Sequence, residues 1–261
     1  MGAVRKRKPA KRKTATSSRK KRRKGSNRKA WIIGSILLLV ALAGIGYKIV
    51  TDVKPMTRVS FRNSAPRGFP TMGIDVSHHQ GEIDWDKLMT ENGFDSLIHF
   101  VYCKATEGRT HLDRQWETNR SKLNDMGIPN GAYHFFLPGD SVLPQAAHFL
   151  NIWNRRDIDL PPVLDVEIEG KSDKALIDSM KIWLKEVEKK SGMRPVIYTS
   201  RHFFETKFQD EFLTYKFWIA AYSGRPSCID DPRIIHWQYS ESGKVPGIRE
   251  KIDLNVSKLS F

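Results

Sequence analysis

PPVLDVE, residues 161–167, sets two acidic residues into an otherwise apolar run. Read as a strand, it points Asp165 and Glu167 to one face, with their Cα atoms roughly 6–7 Å apart, and Leu164 and Val166 to the other. Working outward, seven more short apolar or β-branched runs have this strand character: GIDVS (73–77), LIHFVYCKA (97–105), GAYHFF (131–136), PVIYTS (195–200), FWIAAY (217–222), IIHWQY (234–239) and IDLNV (252–256). Between them the spacing predicts helices at 84–91, 112–126, 141–154, 172–190 and 201–208. The longest carries Ala175, Ile177, Met180, Trp183, Leu184 and Val187 at helical spacing, with Ser172 or Asp173 at its start and Gly192 past its end, as capping chemistry requires. Strand–helix alternation predicts an α/β fold with a parallel sheet. Eight strands suggest a closed (β/α) TIM-like barrel, irregular because short segments without a convincing helix link the last three and leave the surrounding ring incomplete on that side. An open doubly wound sheet is the alternative, but no G-x-G-x-x-G follows the first strand.

The strands end in residues that a core does not need. Asp75, Asp165, Glu167, Asp253 and Asn255 lie on them, with Lys104, Tyr133, His134, Tyr198, Trp237 and Gln238. In a parallel barrel such groups gather at the carboxyl ends of the strands. Two carboxylates in an apolar strand are costly to bury as charges, and their repulsion favours one neutral acid. Glycoside cleavage needs that arrangement, one acid at the leaving oxygen and one ionised group beside the oxocarbenium-like centre. The alternative is a strand end whose carboxylates face water or pair with Lys or Arg. His78-His79 has no H-E-x-x-H spacing, so no metal site and no cofactor are expected. The absence of G-x-S-x-G argues against a serine hydrolase elbow. Cys103, in an apolar strand, reads as an inert core thiol. Tyr133, Tyr198, Tyr222 and Trp237 read either as core or as faces for sugar rings.

Charge divides the chain sharply. The 261 residues hold 44 Lys+Arg and 29 Asp+Glu, for a formal charge of +15. Residues 1–30 hold 15 basic and no acidic residues, so the remainder is neutral. A folded nucleic-acid-binding face is therefore not expected. The basic clusters of 1–29 read as a disordered cytoplasmic tail. AWIIGSILLLVALAGIGY (30–47) is long enough, at 1.5 Å per residue, to cross a bilayer core, with Trp31 and Tyr47 at its ends. Residues 30–50 are read as a transmembrane signal-anchor whose N-terminus is cytoplasmic, which would put the catalytic part outside a bacterial inner membrane. The rival reading is a signal peptide cleaved near Ala41-Leu42-Ala43. Residues 51–72, with three prolines, read as a linker, and residues 73–261 as the exported domain.

That domain resembles the glycoside hydrolase family 25 lysozymes, the Chalaropsis-type N-acetylmuramidases. The resemblance rests on GIDVSHHQGEIDW (73–85), FVYCKATEG (100–108), GIPNGAYHFF (127–136), PPVLDVE, PVIYTS, FWIAAY, WQYSESGKVPGI (237–248) and IDLN (252–255), in that order. It implies a β/α barrel that hydrolyses the β-1,4 bond between N-acetylmuramic acid and N-acetylglucosamine in peptidoglycan glycan strands. It implies Glu167 as general acid and Asp165 as the group that polarises the substrate's 2-acetamido group, either substrate-assisted or by an inverting route. It adds Asp75 and Asp253 as further acidic positions, with Tyr133, Tyr198 and Trp237 lining the groove. The alternatives are a hydrolase of another N-acetylated glycan and an anchored glycan-binding module. The basic tail and apolar run lie outside the resemblance and favour a tethered enzyme that remodels its own cell's wall.

Overall fold

A computed structural model describes residues 55–91, 97–153 and 160–261, without the side chains of Arg58 and Val59. The expected basic tail, membrane segment and first residues of the linker lie outside the described residues. Among the described residues, no helix is long and apolar enough to cross a membrane.

The strands are β1 (Thr71–Val76), β2 (Phe100–Glu107), β3 (His111–Leu112), β4 (Asn130–Phe135), β5 (Val163–Val166), β6 (Val196–Ser200), β7 (Lys216–Ala220), β8 (Ile234–Gly243) and β9 (Ile252–Ser257). All but β3 form one ring, β1-β2-β4-β5-β6-β7-β8-β9, which closes where β9 meets β1. The ring is closed, as eight strands suggest, and one expectation is corrected. It is not wholly parallel: every pairing from β1 round to β8 is parallel, but β9 runs antiparallel to both β8 and β1. The cause is chain length. The 244–251 connection is too short for the crossover that a parallel neighbour needs, of a dozen residues or more. The reversal puts the start of β9, rather than its end, at the mouth formed by the carboxyl ends of the other strands.

The helices are α1 (Arg58–Ser64), α2 (Trp85–Thr90), α3 (Trp116–Asp125), α4 (Val142–Ile152), α5 (Asp173–Ser191) and α6 (Arg201–Phe203), which runs on into a wide π-type turn at Phe204–Phe208. α5 shows the local logic. The Ser172 hydroxyl accepts from the Ala175 N–H, and Gly192 ends the helix at φ 70°. Its buried stripe is Leu176, Ile177, Met180, Trp183, Leu184 and Val187, so Leu176 takes the place expected of Ala175.

Strand alternation splits the barrel into two apolar layers. Phe100, Tyr102, Val163, Val196 and Trp218 point inward and fill the barrel. Val101, Cys103, Leu164, Val166, Ile197 and Ile219 point outward into the layer shared with the helices. Two glycines make room inside the ring. A Cβ on Gly131 would stand 2.2 Å from Cε1 of Tyr102, and one on Gly73 2.5 Å from Cε1 of Phe100. Phe261 closes the far end against Phe100, with ring centroids 5.0 Å apart.

Residues 55–70, expected to be linker, are part of this domain. The Thr57 hydroxyl caps α1 by accepting from the Ser60 N–H. Phe61 is fully buried, the Ser64 hydroxyl lies 3.0 Å from the Tyr239 hydroxyl, and Phe69 packs edge-on against Trp237. The Met56 N–H donates to the Lys244 carbonyl just past β8, so the chain enters the domain at the mouth end. Phe61→Ala should cost about 3–5 kcal/mol. Denaturant unfolding of the domain checks this, and an unchanged midpoint would show that α1 is dispensable.

Candidate active site

The acidic strand ends meet at the barrel mouth. A cleft of about 240 Å³ is lined there by Asp75, Asp165, Glu167, Asp253, Tyr133 and Tyr198, together with Val163, Trp218, Tyr222, Gln238 and Glu241. Each side chain arrives by alternation. Val163 and Asp165 point inward on β5, with Glu167 next on the same side just past its end, and Gly73 and Asp75 point inward on β1. Asp253 faces Asp75 directly across the antiparallel β1–β9 register, a placement that only the reversed strand allows.

Six of the seven residues expected at the site line the cleft, and Trp237 does not. Trp237 points outward from β8 into the helix-side core, with its indole N–H donating to the Ala221 carbonyl at 2.8 Å. Its neighbour Gln238 has the inward position. Gln238, Trp218, Tyr222 and Glu241 complete the lining, with Asn255 behind it. Gln238 and Asn255 are among the polar strand residues already named from the sequence, and alternation gives both the inward face. Gln238 lies two residues beyond the inward-facing His236, and Asn255 two beyond Asp253. His78 stands apart from the cleft. Its Nδ1 lies 2.6 Å from Oδ2 of Asp113, which also accepts from the His78 backbone N–H. The pair ties the loop after β1 to the segment after β3.

A hydrogen-bond network fixes the floor. Oδ2 of Asp75 accepts from the Asn255 amide at 2.7 Å and the Gln238 amide at 2.9 Å. The Gln238 carbonyl accepts from the Tyr198 hydroxyl at 2.8 Å and the Tyr222 hydroxyl at 2.6 Å. The Trp218 indole donates to Asn255 at 2.9 Å. Lys104 is buried near the acids and reaches Glu107 at 2.6 Å.

Desolvation dominates the proton affinities. Burial pushes Asp75 up to about 6 despite its two amide donors. Asp253 is pushed up to about 8 by burial first, then by the charges of Asp75 and Glu241. Asp165 is held well above the usual carboxylate range by burial and by Glu167, with Lys104 acting against both. Glu167, more open to the cleft, is also raised by burial, with the neighbouring Asp165 and Lys104 acting to lower it. Each pair therefore keeps a proton at a pH where free carboxyls have lost theirs.

These raised values fix the pH dependence of stability. A carboxyl whose pKa rises on folding leaves stability intact below its unfolded pKa and costs stability as pH climbs through the folded value. Asp253→Asn should thus unfold like the parent near pH 4. At pH 9 it should be more stable by about 1–2 kcal/mol. Thermal unfolding at both pH values measures this, and an equal change at both would show that Asp253 titrates as a free carboxyl.

Comparison with known proteins places the fold. The profile described as glycosyl hydrolases family 25 matches residues 74–248. YegX of Escherichia coli (strain K12) is 38% identical over 200 residues, covering 76% of this chain and 73% of YegX. Lysozyme M1 of Streptomyces globisporus is 30% identical over 199 residues, covering 70% of this chain and 66% of that protein. The solved structure of a family 25 glycosyl hydrolase from Bacillus anthracis matches with a TM-score of 0.67 at 27% identity, covering 75% of this chain and 92% of that one. The profile match begins inside β1 and ends between β8 and β9, so it spans nearly all of the ring that shapes the cleft, and the chain belongs to family 25 of the glycosyl hydrolases.

Proposed function

We propose that this chain is a muramidase that cleaves the β-1,4 bond between N-acetylmuramic acid and N-acetylglucosamine in peptidoglycan, with Glu167 and Asp165 carrying the chemistry. Family membership and the likeness to Lysozyme M1 support the reaction class. The observation that carries the residue roles is the Asp165–Glu167 contact at the cleft. Oδ1 of Asp165 is buried and has no hydrogen-bond partner among the described residues. A buried acceptor of that kind is costly to leave unpaired and is suited to the N–H of a sugar's 2-acetamido group.

The pair's shared proton then has a defined path. In the free protein Asp165, the deeper carboxyl, holds it against Glu167. An acetamido N–H arriving at Asp165 favours its ionised form and passes the proton to Glu167. Glu167 gives that proton to the glycosidic oxygen as the C1–O bond breaks, and the acetamido carbonyl oxygen closes on C1. Asp165 takes the N–H proton, leaving a neutral oxazoline. Glu167, now ionised, takes a proton from water, whose oxygen attacks C1. Asp165 returns its proton to nitrogen as the ring opens, and one water has been consumed. Two displacements at C1 retain its configuration.

The second part of the proposal is attachment to a membrane through residues 30–50, in the service of remodelling the cell's own wall. It rests on the apolar run and the basic residues before it. Detergent-free fractionation of cells expressing the full chain checks this. Recovery in the membrane pellet is expected, and a soluble product beginning near Gly44 would overturn it.

Glu167→Gln should lower hydrolysis of purified peptidoglycan by more than about 100-fold while glycan binding persists. New reducing ends, reduced with borohydride and identified by mass spectrometry, should be muramic acid, and reduced glucosamine would refute the bond assignment. Product first released as the β anomer supports the retaining route, whereas the α anomer would establish an inverting one. Activity should fall as pH rises through the raised values of the Asp165–Glu167 pair, and a flat profile from about pH 4 to 9 would remove Glu167 from the acid role.

A further inference from the structure

Asp75 and Asp253 oppose each other in the β1–β9 register, but their surroundings differ. Oδ2 of Asp75 receives two amide donors, from Gln238 at 2.9 Å and Asn255 at 2.7 Å. The surroundings orient both amides. The Gln238 carbonyl accepts from the hydroxyls of Tyr198 and Tyr222, and its NH₂ faces Asp75. The Asn255 carbonyl is occupied by the Trp218 indole N–H, a donor only, so its NH₂ faces Asp75 as well. Both amides are almost completely buried. Asp253 has no such donors among the described residues. It stands nearer the solvent, directly across the register from Asp75, and the charge of Glu241 acts on it.

We propose that Gln238 and Asn255 are positioning residues: they hold Asp75 as the ionised acceptor of the Asp75–Asp253 pair and so make Asp253 the member that carries the proton and presents a neutral acid to the cleft. An acceptor with two fixed donors is stabilised as an anion. The other carboxyl, pressed against that anion, is disfavoured as a second charge. The remaining groups facing the pair do not undo this. Glu167 on β5 and Glu241 on β8 add negative charge and favour the shared proton. Asp165, Tyr133, Tyr198 and Tyr222 are themselves held neutral by burial. The pair thereby offers a sugar hydroxyl one donor and one acceptor in fixed places, where two equivalent carboxyls would offer neither reliably.

The proposal shares its site with the muramidase reading, but its test needs no turnover. Aspartate carboxyl carbons labelled with ¹³C can be titrated by NMR in the folded protein, with Asp75→Asn and Asp253→Asn supplying the assignments. Asp75 should titrate below Asp253 in the parent. Gln238→Met removes one donor, since a thioether has no N–H. The Asp75 midpoint should rise by about 1–2 pH units, and the Asp253 midpoint should fall toward it. In Asp75→Asn the anion is gone, so Asp253 should drop toward the ordinary range, a result that does not depend on Gln238→Met folding. Asp75 titrating above Asp253 in the parent, or an Asp253 midpoint unmoved in Asp75→Asn, would overturn the assignment. If the protein cleaves peptidoglycan, the alkaline limb of Gln238→Met should move to lower pH at matched substrate saturation. If the muramidase reading fails, the NMR midpoints still decide the proposal.

Discussion

A carboxylate buried at the end of a barrel strand must receive either hydrogen-bond donors or a proton. Asp75 receives two amide donors, each locked by a partner of its own. The rest of the mouth is arranged around that anion. Asp253 is pressed against it from the reversed strand, Tyr198 and Tyr222 are drawn to the amide that serves it, and Trp218 orients the other amide. A second acidic pair sits across the cleft on β5 with Lys104 as its nearest buried cation. Each of the two acidic pairs keeps a proton, which lowers the charge that the buried part of the cleft must carry.

Much of this was legible in the sequence because strand alternation is a strict rule. PPVLDVE declares its two acids on one face, and GIDVS and IDLNV declare Asp75 and Asp253. The strand positions agree with the structure to within a few residues, and the helices do too. What escaped was of three kinds. The direction of β9 is set by the length of the 244–251 connection and by its two neighbours, which no local pattern in IDLNV records. In IIHWQY, an aromatic and an amide stand side by side; the residues alone leave Trp237 open between core and groove, and the family resemblance placed it in the groove. Alternation from His236 gives that face to Gln238. The α1 segment lies between Pro55 and Pro66, and its short turn buries Phe61 as the main apolar contact. So short a helix produces no readable hydrophobic period, and the prolines were read, as linker.

Neutral amides are the hardest functional residues to recognise in a sequence. Asp165 and Glu167 announce themselves because charge in an apolar strand has a cost that must be answered. Gln238 and Asn255 carry no charge, and although both stand out as polar residues on apolar strands, neither has a role until its partners are known. Their roles exist only in three dimensions, since Gln238 joins groups from β1, β6 and the end of β7, and Asn255 joins β1 to β7.

The reversal of β9 links fold and chemistry most directly. A parallel eighth strand would bring its carboxyl end to the mouth and would need a helix to return the chain. The reversed strand brings its first residues there instead, so Asp253 meets Asp75 as a cross-strand neighbour rather than a staggered one. In antiparallel pairing such partners hold their Cα atoms about 4.5–5.5 Å apart, close enough for two carboxyls to share one proton. The same reversal sends the C-terminus to the opposite end, where Phe261 seals the barrel against Phe100. One short connection thus closes the ring, plugs its base, and sets at the mouth a pair of acids that the parallel part of the barrel could not have brought face to face.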